Sequence, residues 1–134
     1  MSAHHVLQPT GWARPRGYVN GIAATGRLVF TAGVIGWTAE EKIEAPDFVG
    51  QFRQILVNTL TILAEGGAGP EHIVRMTWYI TDRDEYLAAG REVGAIYREM
   101  LGRNFPTMAV VIVAGLIERA AKIEIETTAV VPEQ

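Results

Sequence analysis

The chain has 134 residues, with 12 Lys and Arg against 15 Asp and Glu, 3 His and no Cys, so its formal charge is −3. That length fits one domain, at roughly 100–200 residues each, and a core that needs no covalent staples. The absence of Cys excludes disulfides, thiolate nucleophiles and zinc–thiolate sites, and the mild acidity gives no general attraction to nucleic acid or anionic membranes.

No apolar run approaches the roughly 18–20 residues of a membrane span. Met1-Ser2-Ala3-His4-His5 lacks the basic and then apolar regions of a signal peptide, so a cytoplasmic protein is expected. Residues 1–16, interrupted by Pro9, Gly11 and Pro15, read as an irregular lead-in to a single domain spanning 1–134. Tyr18 to Ala24 and Leu28 to Val34 are strand candidates. Thr25-Gly26-Arg27 between them predicts a hairpin, because Gly26 tolerates a positive φ.

Residues 35–46 read as a loop closed by Pro46. A helix follows from about Asp47 to Glu65, with Phe48, Phe52, Ile55, Leu56, Leu60 and Leu63 at three- and four-residue steps along one side. Gly66-Gly67 stops it. Ile73 to Thr81 alternates: Val74, Met76, Trp78 and Ile80 share an apolar face, while Arg75, Thr77, Tyr79 and Thr81 share a more polar one. Thr81 or Asp82 caps a second helix, with Glu85 placed as in a capping box, and Gly102 ends it.

Two strands close the chain, at about Thr107–Gly115 and Ala120–Val131. The first is apolar on both faces and must be covered on both. Two helices can cover only one side of the sheet, so a second copy of the chain is expected on the other. The order β-β-α-β-α-β-β predicts an α+β layer, a mixed sheet with both helices on one face.

Gly17-Tyr18, Phe30-Thr31-Ala32-Gly33, Gln51-Phe52-x-Gln54-x-Leu56-x-Asn58 and Ile73-Val74-Arg75-Met76-Thr77-x-Tyr79-Ile80-Thr81-Asp82 follow one another in order. Tyr97, Phe105-Pro106, Lys122-Ile123-Glu124-Ile125-Glu126 and Ala129-Val130-Val131 complete the series. Over roughly residues 15–131 the chain resembles the RidA/YjgF family of enamine/imine deaminases, older names for which are endoribonuclease L-PSP and translation initiation inhibitor. The resemblance implies a chorismate-mutase-like fold and a homotrimer with a central barrel, outer helices and clefts between subunits. It also implies hydrolysis of reactive imines such as 2-aminoacrylate to ketoacid and ammonia, with no metal or organic cofactor.

Carried over by position, the resemblance makes Glu124 the catalytic acid–base group and Tyr18 a ligand-binding hydroxyl. Gly33 and the Val34–Gly36 backbone become a loop that offers N–H groups to the ligand. The chain also departs from the family. Met108 stands where an arginine holds the substrate carboxylate, Gly90 where some members carry asparagine, and Val110 where cysteine is common. A thioether cannot form a bidentate ion pair. A substrate without an α-carboxylate, or with a bulkier apolar part, is therefore expected, and Arg16 or Arg14 is a candidate replacement cation.

The residues by themselves leave other readings open. Glu124 could be one more carboxylate on an alternating strand, Tyr18 an aromatic at a strand start, and Gly33 part of a hairpin bulge. Arg75, Thr77 and Tyr79 read as a network at a subunit contact rather than as catalytic groups, and Trp37 as a cleft-edge or packing aromatic. His4, His5 and His72 do not form a metal site, Gly66 to Pro70 is no phosphate loop, and Ser2 is the only serine. The alternative to a deaminase is a non-catalytic small-molecule-binding or protein-interaction trimer of the same fold. RNA cleavage is a third reading, and nucleic acid is not an expected partner.

Overall fold

The computed structural model describes residues 3–133; Met1 and Ser2 of the expected lead-in, and Gln134, lie outside the described residues. Helix α1, Phe48–Glu65, starts where Asp47 turns extended and its carboxylate accepts the Gly50 N–H at 3.4 Å. Its inward row of Phe52, Ile55, Leu56 and Leu63 is wholly buried. Each such side chain contributes about 1.5–3 kcal/mol on leaving water. Gly66 closes the helix and Gly67 takes the left-handed φ of 75°.

The main sheet has four strands in the order β3-β6-β4-β5: β3 Arg27–Phe30, β4 Ile73–Ile80, β5 Thr107–Ile112 and β6 Ile123–Val131. β4 and β5 are parallel, and β6 runs antiparallel to both of its neighbours. β6 is central, and its inward residues Ile123, Ile125, Thr127 and Ala129 are buried. In β4 the register shifts between Ile73 and Arg75. This bulge makes Ile73, not Val74, the first inward residue before Met76, Trp78 and Ile80.

The second helical region is two helices, α2 Arg83–Ala88 and α3 Gly90–Leu101, meeting at Ala89. Asp82 is the cap and accepts the Glu85 N–H at 3.0 Å. The reciprocal half of a capping box is replaced, because the Glu85 carboxylate pairs with Lys122 Nζ at 3.0 Å. Gly102, at φ 66°, ends α3 as expected. Both α1 and α3 lie on one face of the sheet, so the α+β layer matches the expectation.

The hairpin does not form. β1, His5–Leu7, arises inside the expected irregular lead-in and pairs with β2, Gly21–Ala23, in a separate two-stranded sheet, while β3 pairs with β6. Gly26 does carry a positive φ, and the Val131 carbonyl lies so close that a Cβ would collide with it. The turn is real, but the strands on its two sides go to different sheets. Val34, expected at the end of the second strand, bridges singly to Ile125.

Among the described residues, no helix packs on the sheet's other face. Leu28 and Phe30 on β3 are 59% and 63% exposed there, beside Tyr79, Val111, Glu124 and Glu126. On that face the Tyr79 hydroxyl donates to Glu126 at 2.6 Å, a bond that raises the pKa of the phenol. Gln51, wholly buried, ties the loops around α1: its amide donates to the Ala45 and Ala120 carbonyls and its oxygen accepts the Lys122 N–H.

Candidate functional site

The residues singled out from the sequence fall into two separate concavities. Arg16, Tyr18, Gly90 and Met108 line one, of about 500 Å³, between α3 and strands β4 and β5. Gly33 and Glu124 line another, of about 820 Å³, beside α1. Arg14 lines neither, so of the two arginines considered only Arg16 reaches a site.

Aromatic rings wall the first concavity. Tyr97 stacks on Phe105 with centroids 5.6 Å apart and planes 9° from parallel. Its hydroxyl donates to the Asn104 carbonyl, and burial pushes its pKa well above the usual phenol range. Tyr86 meets Trp78 edge-on, and burial raises its pKa too. Among the described residues, the buried Trp78 indole N–H finds no hydrogen-bond partner. Met108, Val93 and Val110 add apolar surface, while two guanidiniums, Arg16 and Arg98, stand exposed at the lining. The sequence does not single out Arg98, because an arginine on the solvated side of a helix carries no local signal.

The second concavity is framed by a loop over 32–39 and by one side of α1. Asn58 holds the loop, donating to the Trp37 carbonyl at 2.7 Å and the Ile35 carbonyl at 3.4 Å, and Gln54 in turn donates to Asn58 at 2.9 Å. Trp37 lines the cavity and bridges to Ile43. The sequence alone assigns Gln54 and Asn58 no role; their place in a motif at four-residue spacing is the available signal.

Glu124, half-buried, sits against the Gly33 backbone so closely that a Cβ at position 33 would collide with its carboxylate. Glycine is needed there for that approach. The expected supply of N–H groups from Val34 is corrected: its N–H donates to the Ile125 carbonyl at 2.8 Å. A half-buried carboxylate over a concavity can take a proton from water and return it. Among the described residues no three His, Asp or Glu side chains cluster as metal ligands, and no helix is long and apolar enough to cross a membrane.

A family model described as Endoribonuclease L-PSP matches residues 12–131. The chain belongs to the RidA/YjgF family. A RutC family protein of Haemophilus influenzae is 32% identical to it over 105 residues, 78% of this chain and 80% of that protein. TdcF of Escherichia coli, named as a candidate reactive intermediate deaminase, is 30% identical over 116 residues, 84% of this chain and 85% of its own.

Solved RidA/YjgF structures share the fold of this chain. The Rid family protein YyfB of Yersinia pestis, a protein of unknown function, superimposes with a TM-score of 0.81 at 26% identity, covering 96% of this chain and 98% of its own. TdcF of Escherichia coli with bound serine gives a TM-score of 0.67 at 30% identity, covering 95% of this chain and 98% of its own.

Proposed function

We propose that this RidA/YjgF chain hydrolyses reactive enamine and imine metabolites to carbonyl products and ammonia. The site is formed where copies of the chain meet in a closed trimer. The observation that carries this is the Glu124 carboxylate lying half-buried against Gly33 in a concavity. Two further facts support a composite site. Tyr18, with Gly90 and Met108 at the family's other ligand-binding positions, lies in a separate concavity of the same chain, and the sheet face bearing Glu124 also bears exposed Leu28 and Phe30. A second copy would cover that apolar face and set one chain's Glu124 before the next chain's Tyr18.

In the chemistry, water adds to the C=N carbon of the protonated imine while Glu124 takes one of the water protons and the π pair moves to nitrogen, giving a neutral carbinolamine. The protonated carboxyl then returns that proton to nitrogen as the C–N bond breaks. The hydroxyl loses its proton to solvent to become the carbonyl, and ammonia leaves. An enamine first gains a proton at carbon, which gives the same protonated imine. None of these steps requires a metal or an organic cofactor. Met108 in place of an arginine moves the preference away from 2-aminoacrylate.

Ammonia release from a panel of short-lived imines tests this with wild type, Glu124→Gln and Met108→Arg. Wild type is expected to act on part of the panel, Glu124→Gln to lose about 100-fold or more, and Met108→Arg to gain on 2-aminoacrylate. Inertness of wild type on every imine, or activity indifferent to Glu124→Gln, would overturn the reading. So would a folded single-chain particle in dilute solution.

A further inference from the structure

We propose that the concavity under α3 is a specificity pocket. It admits a bulky aryl or branched alkyl group of the substrate, while Arg98, with Arg16, binds an anionic group on the same molecule. This rests on the deaminase reading for the chemistry but not for the binding.

Gly90, Gly94 and Arg98 stand at four-residue steps along α3, so they form one row on that helix. A Cβ built on Gly90 or Gly94 meets nothing within 4 Å. A glycine inside a helix destabilises it relative to alanine. Packing therefore does not require glycine at these positions, and what their absent side chains leave is open space lining the cavity. Side chains on a helix lean over the turn that precedes them. Arg98 thus leans toward the bare surface of Gly94, where nothing blocks its guanidinium from the cavity. Neither Arg98 nor Arg16 has an ion-pair partner among the described residues.

The walls themselves also point to a ligand. Trp78 lines the cavity. The stacked Tyr97–Phe105 pair and the Met108 thioether offer surfaces that suit an aryl group. A cavity of about 500 Å³ is within the range of small-molecule sites.

The test uses two stable keto-acid products, phenylpyruvate and pyruvate, titrated into the full chain by calorimetry, alongside ammonia release from the corresponding imines. Wild type is expected to bind phenylpyruvate about tenfold or more tightly than pyruvate. Gly94→Leu, which fills the space, abolishes that preference. Gly90→Leu, at the exposed start of the helix, repeats the test should Gly94→Leu fold poorly. Arg98→Gln weakens both ligands about tenfold.

Equal affinity of wild type for the two acids would overturn the pocket. Phenylpyruvate binding unchanged in both leucine variants would do the same. If binding follows the expected pattern but no imine releases ammonia, the pocket stands and the deaminase reading falls. If ammonia release is indifferent to substrate size and to Gly94→Leu, the deaminase reading stands and the pocket falls.

Discussion

The concavity under α3 is walled by rings that packing has fixed, whereas the one beside α1 is framed by a loop that Asn58 holds through two carbonyl groups. The first is walled by rings with cations at its edge; the second presents carboxylates, Glu118 and Glu124, over a helix surface that mixes Gln54, Asn58 and Thr61 with Val57 and Ile62. Rigid apolar walls suit discrimination by shape, because a packed aromatic cannot move to accept a misfit. A carboxylate on a strand, brought against a bare backbone, suits proton transfer, where position matters more than volume. On the proposed reading, the contrast divides binding from chemistry between two regions of one chain.

The largest expected effect comes from closing the gap between Gly33 and Glu124. Gly33→Ala should displace the carboxylate and lower ammonia release about 100-fold, with circular dichroism unchanged. Asn58→Ala should release the loop and cost about 2 kcal/mol in urea unfolding, with faster amide exchange confined to 32–39. If exchange instead spreads through the sheet, the loop is not a separate unit.

On the aromatic side, Tyr97→Phe should cost about 1 kcal/mol at neutral pH, through the lost bond to Asn104. Burial raises the Tyr97 pKa above its ordinary value of 10.0, so the buried neutral phenol stabilises the fold fully below that pH. The contribution is lost as pH rises beyond 10.0, so the phenylalanine variant should lose stability less steeply in alkali. Gly94→Ala should raise stability by about 0.5–1 kcal/mol. A decrease would mean that the neighbourhood of Gly94 is closed and that the contrast between the two sites has been drawn too sharply.

Local signals in the sequence located the helices well. Asp47 and Asp82 cap where their side chains can reach an N–H three residues on, and Gly102 ends α3 at a φ that glycine tolerates. What could not be read were choices of partner far along the chain. Leu28 to Phe30 look like half of a hairpin, yet their ladder partners are Thr128 to Val130. Glu85 looks like half of a capping box, yet its carboxylate finds Lys122. The same limit applied at the site. Glu124 and Gly33 were legible as residues, but that they face a different cavity from Tyr18 and Met108 depends on which faces the sheet turns toward its helices. The access of Arg98 to its cavity is not legible either, because it depends on what is absent at Gly94, one turn earlier.

The position of β6 has a consequence for biosynthesis. It is the last strand of the main sheet to leave the ribosome, and it lies between β3 and β4. A nascent chain stalled before Ile123 would therefore hold β3 without a neighbour, its backbone donors and acceptors unpaired. The parallel β4–β5 pair would be exposed along the edge that β6 later occupies. Assembly of the sheet must wait for the final segment to slot in, and until then the emerging polypeptide is at its most vulnerable to aggregation and to proteolysis.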